Sequence, residues 1–195
     1  MAEKENLTMP VKGGGQTAEQ ERLTTAVKGG SQAVEKEDRL TIAVLSGDLE
    51  RALAAFMLAT TGASMGMKVS MFFTFWGLNI IKKNEGSIKS KGLMRKMLNL
   101  MNRGGSRRLK LSRFNMLGLG TWMMKGLMKD TNMPSIDDFI TMAKDMGVEL
   151  IGCTTTCGVM GLNPELETFR SEVNTLSGAA YFLNLARKSK VTLFI

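Results

Sequence analysis

Apolar residues between positions 40 and 81 follow a pattern that predicts a strand, a helix and a second strand. "LTIAVLSGD", from Leu40, is typical of a buried parallel strand that ends in a loop able to cap a helix. "LERALAAFMLATTGASMG" follows with helical spacing of its apolar residues and ends at Gly66. "KVSMFFTF" predicts the second strand, and "WGLNIIKKN" a short helix leaving it. Such strand–helix–strand units build doubly wound sheets.

The same alternation returns near the C-terminal end. In "SIDDFITMAKDMG", Ser135 and Asp138 form an approximate capping box, and Gly147 ends the predicted helix. "VELIG" predicts the next strand, and "TLSGAAYFLNLARKSKVTLFI" a helix and a last buried strand. The sequence therefore predicts an α/β fold, a three-layer Rossmann/flavodoxin-like sandwich with a four- or five-stranded, mostly parallel sheet.

The first 39 residues differ from the rest of the chain. "LTMPVKGGGQTAEQER" and "LTTAVKGGSQAVEKEDR" form an imperfect repeat that is polar and glycine-rich. Because such units bury little apolar surface, we expect residues 1–39 to be a flexible tail and 40–195 the folded domain. The first residues lack the apolar core of a signal peptide, which favours a cytoplasmic location. Lys68 divides the apolar stretch 52–81, so no membrane span is predicted.

The two cysteines are the strongest candidates for chemistry, because the 195-residue chain has no histidine. Cys153 lies one residue past "VELIG", at the carboxyl end of a strand, where the N–H groups of a helix start favour a thiolate. Cys157 is expected to face the same side one turn deeper. Two thiols are too few for zinc, so no metal is predicted. A reactive thiol, a redox pair and two inert buried thiols remain open.

"GLGTWMMKG" lacks the rest of a dinucleotide fingerprint, so no cofactor is predicted.

Four stretches resemble the DsrE/DsrF-like sulfur-transfer family, in the branch associated with rhodanese and TusA-type carriers. They are "SMFFTFWGLNIIKK", "LGLGTWMMKGLMK", "PSIDDFITMAKDMGVELIGCTTTCGVMGL" and "SGAAYFLNLARKSKVTLFI". The resemblance covers residues 40–195. It implies a Rossmann-like fold, a homo-oligomer, and a cysteine that carries sulfane sulfur as a persulfide or thiosulfonate. Cys153 stands at the matching position. Many relatives have methionine in place of Cys157, so the resemblance implies no required role for it.

The basic insertion 82–113 carries eleven Lys or Arg residues and one acidic residue, whereas the whole chain has a net charge of +8. "GLMRKMLNLM" has an amphipathic pattern, which leaves open a solvated face, a dock for an anionic donor or acidic carrier, and a peripheral membrane contact. The absence of interleaved aromatic residues argues against nucleic acid. At the end of the first strand, "SGD" is either an approach for a phosphate or neighbouring subunit, or a simple turn with Asp48 as a helix cap.

Two functions fit these features. The first is a cytoplasmic sulfur carrier or sulfurtransferase, in which Cys153 exchanges sulfur with rhodanese-like and TusA-like proteins. Its candidate binding residues are Gly152, Thr154 and Thr155 beside the thiol, Ser46 and Gly47 after the first strand, and Arg107 and Arg108 in the basic insertion. The second is a non-catalytic oligomeric scaffold that binds a protein or membrane partner through a Met-rich basic surface.

Overall fold

A five-stranded parallel sheet with helices on both faces forms the centre of the protein in the computed structural model, which describes residues 36–84 and 104–195. The strands are β1 (Glu37–Val44), β2 (Lys68–Phe73), β3 (Glu149–Cys153), β4 (Thr175–Ser177) and β5 (Ser189–Phe194). They lie in the order β4-β3-β2-β1-β5, and each neighbouring pair is parallel. This arrangement confirms the predicted α/β sandwich.

The helices begin and end close to where the sequence signals stand. They are α1 (Leu49–Ser64), α2 (Leu78–Ile81), α3 (Leu119–Asp130), α4 (Ile136–Asp145), α5 (Thr154–Val159) and α6 (Ala179–Lys188). The capping box before α4 is confirmed, since Ser135 and Asp138 exchange side-chain to backbone hydrogen bonds. Gly66, just past α1, has the positive φ of 82° that favours glycine. The chain between α2 and α3, and again before β4, also contains short 3₁₀ turns.

Alternating side chains of the strands pack into two apolar clusters on opposite faces of the sheet. Leu40, Ile42 and Val44 of β1 belong to the larger cluster, which also contains buried residues of α1, α2 and α4. The smaller cluster lies under α6 and contains Ala43, Phe72, Ile151, Cys153, Phe182 and Leu185. Both faces of the sheet are covered, which explains why β1 and β2 read as continuous apolar runs.

Two element boundaries differ from the sequence expectation. β1 begins at Glu37 rather than Leu40, and Arg39 already pairs with Lys68 of β2, so residues 37–39 belong to the sheet. A short strand, β4, was not expected as a separate element, because its three residues are only half-buried. The predicted tail remains a prediction for residues 1–35, which lie outside the described residues, as do residues 85–103 of the basic insertion.

The apolar stretch 52–81 contains most of α1, then β2, and then the short helix α2. The expected helix followed by a strand is therefore confirmed. Within residues 36–84 and 104–195, no helix combines the length and apolar character needed to cross a membrane.

The loops that follow β1 and β2 touch each other through their backbones. A Cβ atom added at Gly77 would collide with the carbonyl oxygen of Val44, and one added at Gly47 would lie 2.6 Å from that of Trp76. The backbone N–H of Thr74 donates to Val44 O over 3.0 Å, and that of Gly77 to Leu45 O over 3.1 Å. Glycine is therefore required at these positions, because any side chain would collide with the backbone of the other loop.

We predict opposite effects on stability from two Gly→Ala substitutions. Gly77→Ala should destabilise the protein by about 2 kcal/mol or more, because the new methyl group overlaps the backbone of β1. Gly126→Ala lies in α3 with no atom near the added Cβ, and should stabilise by roughly 0.5–1 kcal/mol. Urea unfolding of both variants measures the effect. A Gly77→Ala protein as stable as the wild type would contradict the close packing of the two loops.

Candidate functional site

Cys153 is the last residue of β3 and lies in the apolar cluster beneath α6. Its side chain packs with those of Phe72 and Phe182, and only 3% of the residue is exposed. The direction of its side chain follows from strand alternation, which puts Cys153 on the same face as Ile151. α5 begins at the next residue, so the thiol stands at the carboxyl edge of the sheet beside unpaired N–H groups of the first turn.

Two threonine hydroxyl groups surround the sulfur. Thr156 lies in α5 and Thr74 follows β2; the Thr74 hydroxyl donates to Thr156 Oγ1 over 3.2 Å. The Thr156 hydroxyl also lies 3.3 Å from the carbonyl oxygen of Cys153, to which it donates. Burial raises the pKa of Cys153, whereas hydrogen bonding by the side chain and backbone of Thr156, the side chain of Thr74 and the backbone of Thr155 lowers it. These donors outweigh burial, and the pKa of Cys153 lies below its ordinary value. The surroundings thus favour a thiolate.

Cys157 has the opposite surroundings. It is fully buried in the larger cluster, on the other face of the sheet from Cys153. Burial, together with the negative charge of Cys153, raises its pKa to about 11. The expectation that both cysteines face one side is therefore wrong. Helical spacing does not apply to the pair, because Cys153 is the final strand residue and only Cys157 belongs to α5.

The structure brings some of the predicted binding residues to the thiol and not others. Thr155 contributes its backbone N–H, while its side chain is exposed. Thr154 is half-buried and is not among the groups that shift the pKa of Cys153. Gly152 faces the opposite side of the sheet, where an added Cβ would lie 2.7 Å from Leu176 Cδ2. Gly152 therefore serves close packing.

The sequence analysis missed Thr74 and Thr156. The pairing of β2 with β3 aligns Phe73 with Gly152, so the next residue of each strand, Thr74 and Cys153, stand side by side. The sequence does show Thr74 as a polar residue directly after a buried strand, at the sheet edge where functional groups gather. Only the register between β2 and β3 shows that it lies beside Cys153.

Two exposed aromatic residues directly follow Thr74. Phe75 and Trp76 are 48% and 52% exposed, and Phe75 adopts a positive φ of 48°, which is rare for a side chain of this size. Strained backbone of this kind is concentrated at functional sites. The loop that carries Thr74 therefore also presents two exposed aromatic side chains.

Three of the other predicted binding residues line a separate groove of about 700 Å³ at the same edge of the sheet, whereas Ser46 does not. Gly47, Arg107 and Arg108 line this groove, whereas Cys153 does not. Arg107 also pairs with Asp137, with 3.1 Å between Nε and Oδ2. The loop from Thr74 to Gly77 separates the groove from the thiol, since Thr74 touches Thr156 and Trp76 packs on Gly47.

The turn before α1 is held together differently from the sequence expectation. Asp48 occupies the N-cap position, but its side chain makes no capping hydrogen bond. Instead it accepts a hydrogen bond from the Ser46 hydroxyl at 2.6 Å. The first N–H of the helix, from Leu49, donates to the carbonyl oxygen of Lys110 at 2.9 Å. The predicted role of Asp48 as a side-chain cap is therefore wrong, because the chain of the basic insertion supplies the acceptor.

No group of three or more carboxylate and thiol side chains in the described part of the chain is arranged to hold a metal ion.

Comparison with known proteins gives the family. The DsrE/DsrF/DrsH-like family matches residues 36–194. The uncharacterized protein YrkE of Bacillus subtilis is 35% identical over 157 residues, which cover 80% of this chain and 96% of YrkE. The sulfur carrier protein DsrE2 of Allochromatium vinosum is 31% identical over 169 residues, which cover 82% of this chain and 99% of DsrE2. The sheet topology and these matches together identify the chain as a member of the DsrE/DsrF/DrsH-like family.

Proposed function

We propose that this protein is a sulfur carrier that accepts sulfane sulfur on Cys153 and passes it to an acceptor thiol. The observation that carries the proposal is the set of hydrogen-bond donors around Cys153, which lowers the pKa of a thiol that burial alone would raise. The similarity to a protein named as a sulfur carrier supports the same role.

The transfer is an exchange reaction that needs no external oxidant or reductant. The Cys153 thiolate attacks the outer sulfur of a donor persulfide; the new bond to Sγ forms as the donor S–S bond breaks, and the donor leaves as a thiolate. Delivery reverses the roles, with an acceptor thiolate attacking the outer sulfur on Cys153. The rates of both steps depend on the thiolate fraction of the attacking group and on the leaving thiol.

The buried position of Cys153 suits a carrier. A bound sulfur atom lies about 2 Å beyond Sγ, the length of an S–S bond, so the acceptor meets the cargo before the cysteine itself. Thr74 and Thr156 stabilise the Cys153 thiolate, which is the attacking group during loading and the leaving group during delivery. The exposed side chains of Phe75 and Trp76 offer a contact for donor and acceptor proteins, which we propose are rhodanese-like and TusA-like. Free thiols suit a cytoplasmic location.

We predict that Cys153→Ser abolishes sulfur loading and leaves the fold intact, because serine is nearly isosteric with cysteine but cannot hold a persulfide. Cys157→Ser should retain most of the loading, because Cys157 lies in a separate cluster and its pKa is raised to about 11. The measurement is intact mass after incubation with polysulfide or tetrathionate. Sulfur loading that survives Cys153→Ser would exclude the proposed carrier role. An equal loss of sulfur loading in both variants, together with a disulfide in the oxidised wild type, would indicate that the two cysteines form a redox pair.

We predict that Thr156→Val raises the pKa of Cys153, whereas Thr155→Val does not. The first change removes a hydroxyl donor to the sulfur; the second alters an exposed side chain and keeps the backbone donor. A hydrogen bond to a charged group contributes roughly 1.5 kcal/mol or more, so sulfur loading near neutral pH should slow about tenfold in Thr156→Val. Thiolate ultraviolet absorbance against pH, in a Cys157→Ser background, measures the pKa. Coincident titrations of the two variants would contradict this role.

A homo-oligomer is the second part of the proposal, and α3 supports it. The Met and Phe residues between 71 and 101 give no support for it, since Met71, Phe72 and Phe73 are buried and residues 85–101 lie outside the described residues. A group of exposed apolar side chains lies on and just before α3: Phe114, Met116, Leu117, Leu119, Trp122, Met123 and Leu127. Their combined area is on the order of the ~800 Å² that each partner contributes to a stable interface. We propose that a second copy of the chain covers this α3 surface.

We predict that the wild type sediments as a dimer or larger assembly at micromolar concentration, and that Trp122→Glu sediments as a monomer. Trp122 is 73% exposed on α3, and a carboxylate there cannot be buried by a second copy without a partner for its charge. Leu183→Glu is the matched control, because Leu183 is 62% exposed on α6, outside that surface. A monomeric wild type would exclude self-association, and binding of that monomer to lipid vesicles would assign the α3 surface to a membrane instead.

A further inference from the structure

The groove of about 700 Å³ described above has an excess of basic side chains in its lining. Asp48 is its one acidic lining residue in the described part of the chain, and it already accepts a hydrogen bond from the Ser46 hydroxyl. No carboxylate of the described residues forms an ion pair with Arg108, Lys110 or Lys125. The positive charge of the groove therefore exceeds what these residues neutralise. The basic lining residues are Arg107, Arg108, Lys110 and Lys125.

Hydrogen bonds to three helices hold the segment that carries most of these basic residues. Arg107 binds Asp137 of α4, with 3.1 Å between Nε and Oδ2. The first N–H of α1, from Leu49, donates to the carbonyl oxygen of Lys110 over 2.9 Å. From α3, Lys125 Nζ donates to the carbonyl oxygen of Arg107 over 2.8 Å. A ligand that binds here does not have to order this backbone, which lowers the entropic cost of binding.

The size and the remaining lining of the groove suit an organic molecule. Its volume of about 700 Å³ lies within the range of small-molecule sites and is larger than an inorganic ion requires. Leu109 and Trp122 contribute apolar lining. Small-molecule sites combine such a lining with a few polar groups that fix the orientation of the ligand. The groove therefore matches a ligand that has both a charged part and an apolar part.

We propose that this groove binds a small polyanion, a molecule that carries two or more phosphate or carboxylate groups. Arg107, Arg108 and Lys110 donate to the anionic groups, because charge-assisted hydrogen bonds of this kind are the strong ones. Inorganic polyanions and organic ones share this chemistry, and the size of the groove favours an organic molecule. The site is separate from the proposed sulfur chemistry, because Cys153 does not line the groove.

The test is isothermal titration calorimetry of the full chain with ADP and with pyrophosphate, at equal ionic strength. The wild type should bind both probes, with dissociation constants of about 1 mM or lower. Arg108→Gln and Lys110→Gln should each weaken binding roughly fivefold or more, because each removes one charge that contacts the ligand. Tighter binding of ADP than of pyrophosphate indicates an organic ligand, and equal binding indicates an inorganic polyanion.

Arg113→Gln is the matched control, because it removes the same charge from an exposed arginine that does not line the groove. It should bind both probes as the wild type does. Trp122 is left unchanged in every variant, because it also belongs to the α3 surface. The proposal is overturned if the wild type binds neither probe at millimolar concentration. It is also overturned if Arg113→Gln weakens binding as much as Arg108→Gln and Lys110→Gln do, since that result indicates a solvated basic surface without a specific site.

Discussion

The backbone contact between the loops after β1 and β2 fixes the position of the Thr74 hydroxyl beside Cys153. Gly77 packs on the carbonyl group of Val44, and Gly47 packs on that of Trp76. This contact fixes the path of the chain from Thr74 to Gly77. On one side the loop presents a hydroxyl to the Cys153 site; on the other it forms the boundary of the basic groove. The surroundings of Cys153 and the shape of the groove therefore both depend on glycine at positions 47 and 77.

The strand-to-helix junction at Cys153 gives two thiols only four residues apart different chemical properties. Strand alternation places Cys153 under α6, where hydrogen bonding outweighs burial, and the first turn of α5 takes Cys157 into the opposite cluster, where burial outweighs hydrogen bonding. The pKa of the first thiol is lowered, and that of the second is raised to about 11. A thiol of lowered pKa beside a thiol of raised pKa suits the proposed sulfur carrier better than a pair that forms a disulfide.

The sequence predicted those parts of the fold that local signals specify. Buried runs defined β1 and β2, a capping box located α4, and Gly66 marked the end of α1. β4 was not recognised because its three half-buried residues carry no periodicity. α3 was not assigned, because most of its apolar side chains are exposed and do not show which face packs. The position of Cys153 at a strand end was predictable, whereas its contacts with Thr74 depend on register between strands.

Competitive alkylation of the folded wild-type protein tests the central claim most directly, namely that the fold lowers the pKa of Cys153 and raises that of Cys157. The protein is treated with a small alkylating reagent at neutral pH, and the modified cysteine is identified by peptide mass spectrometry at increasing times. The account predicts that Cys153 is modified first and that Cys157 reacts only after the protein is unfolded. Modification of Cys157 before Cys153, or equal rates for both, would contradict it.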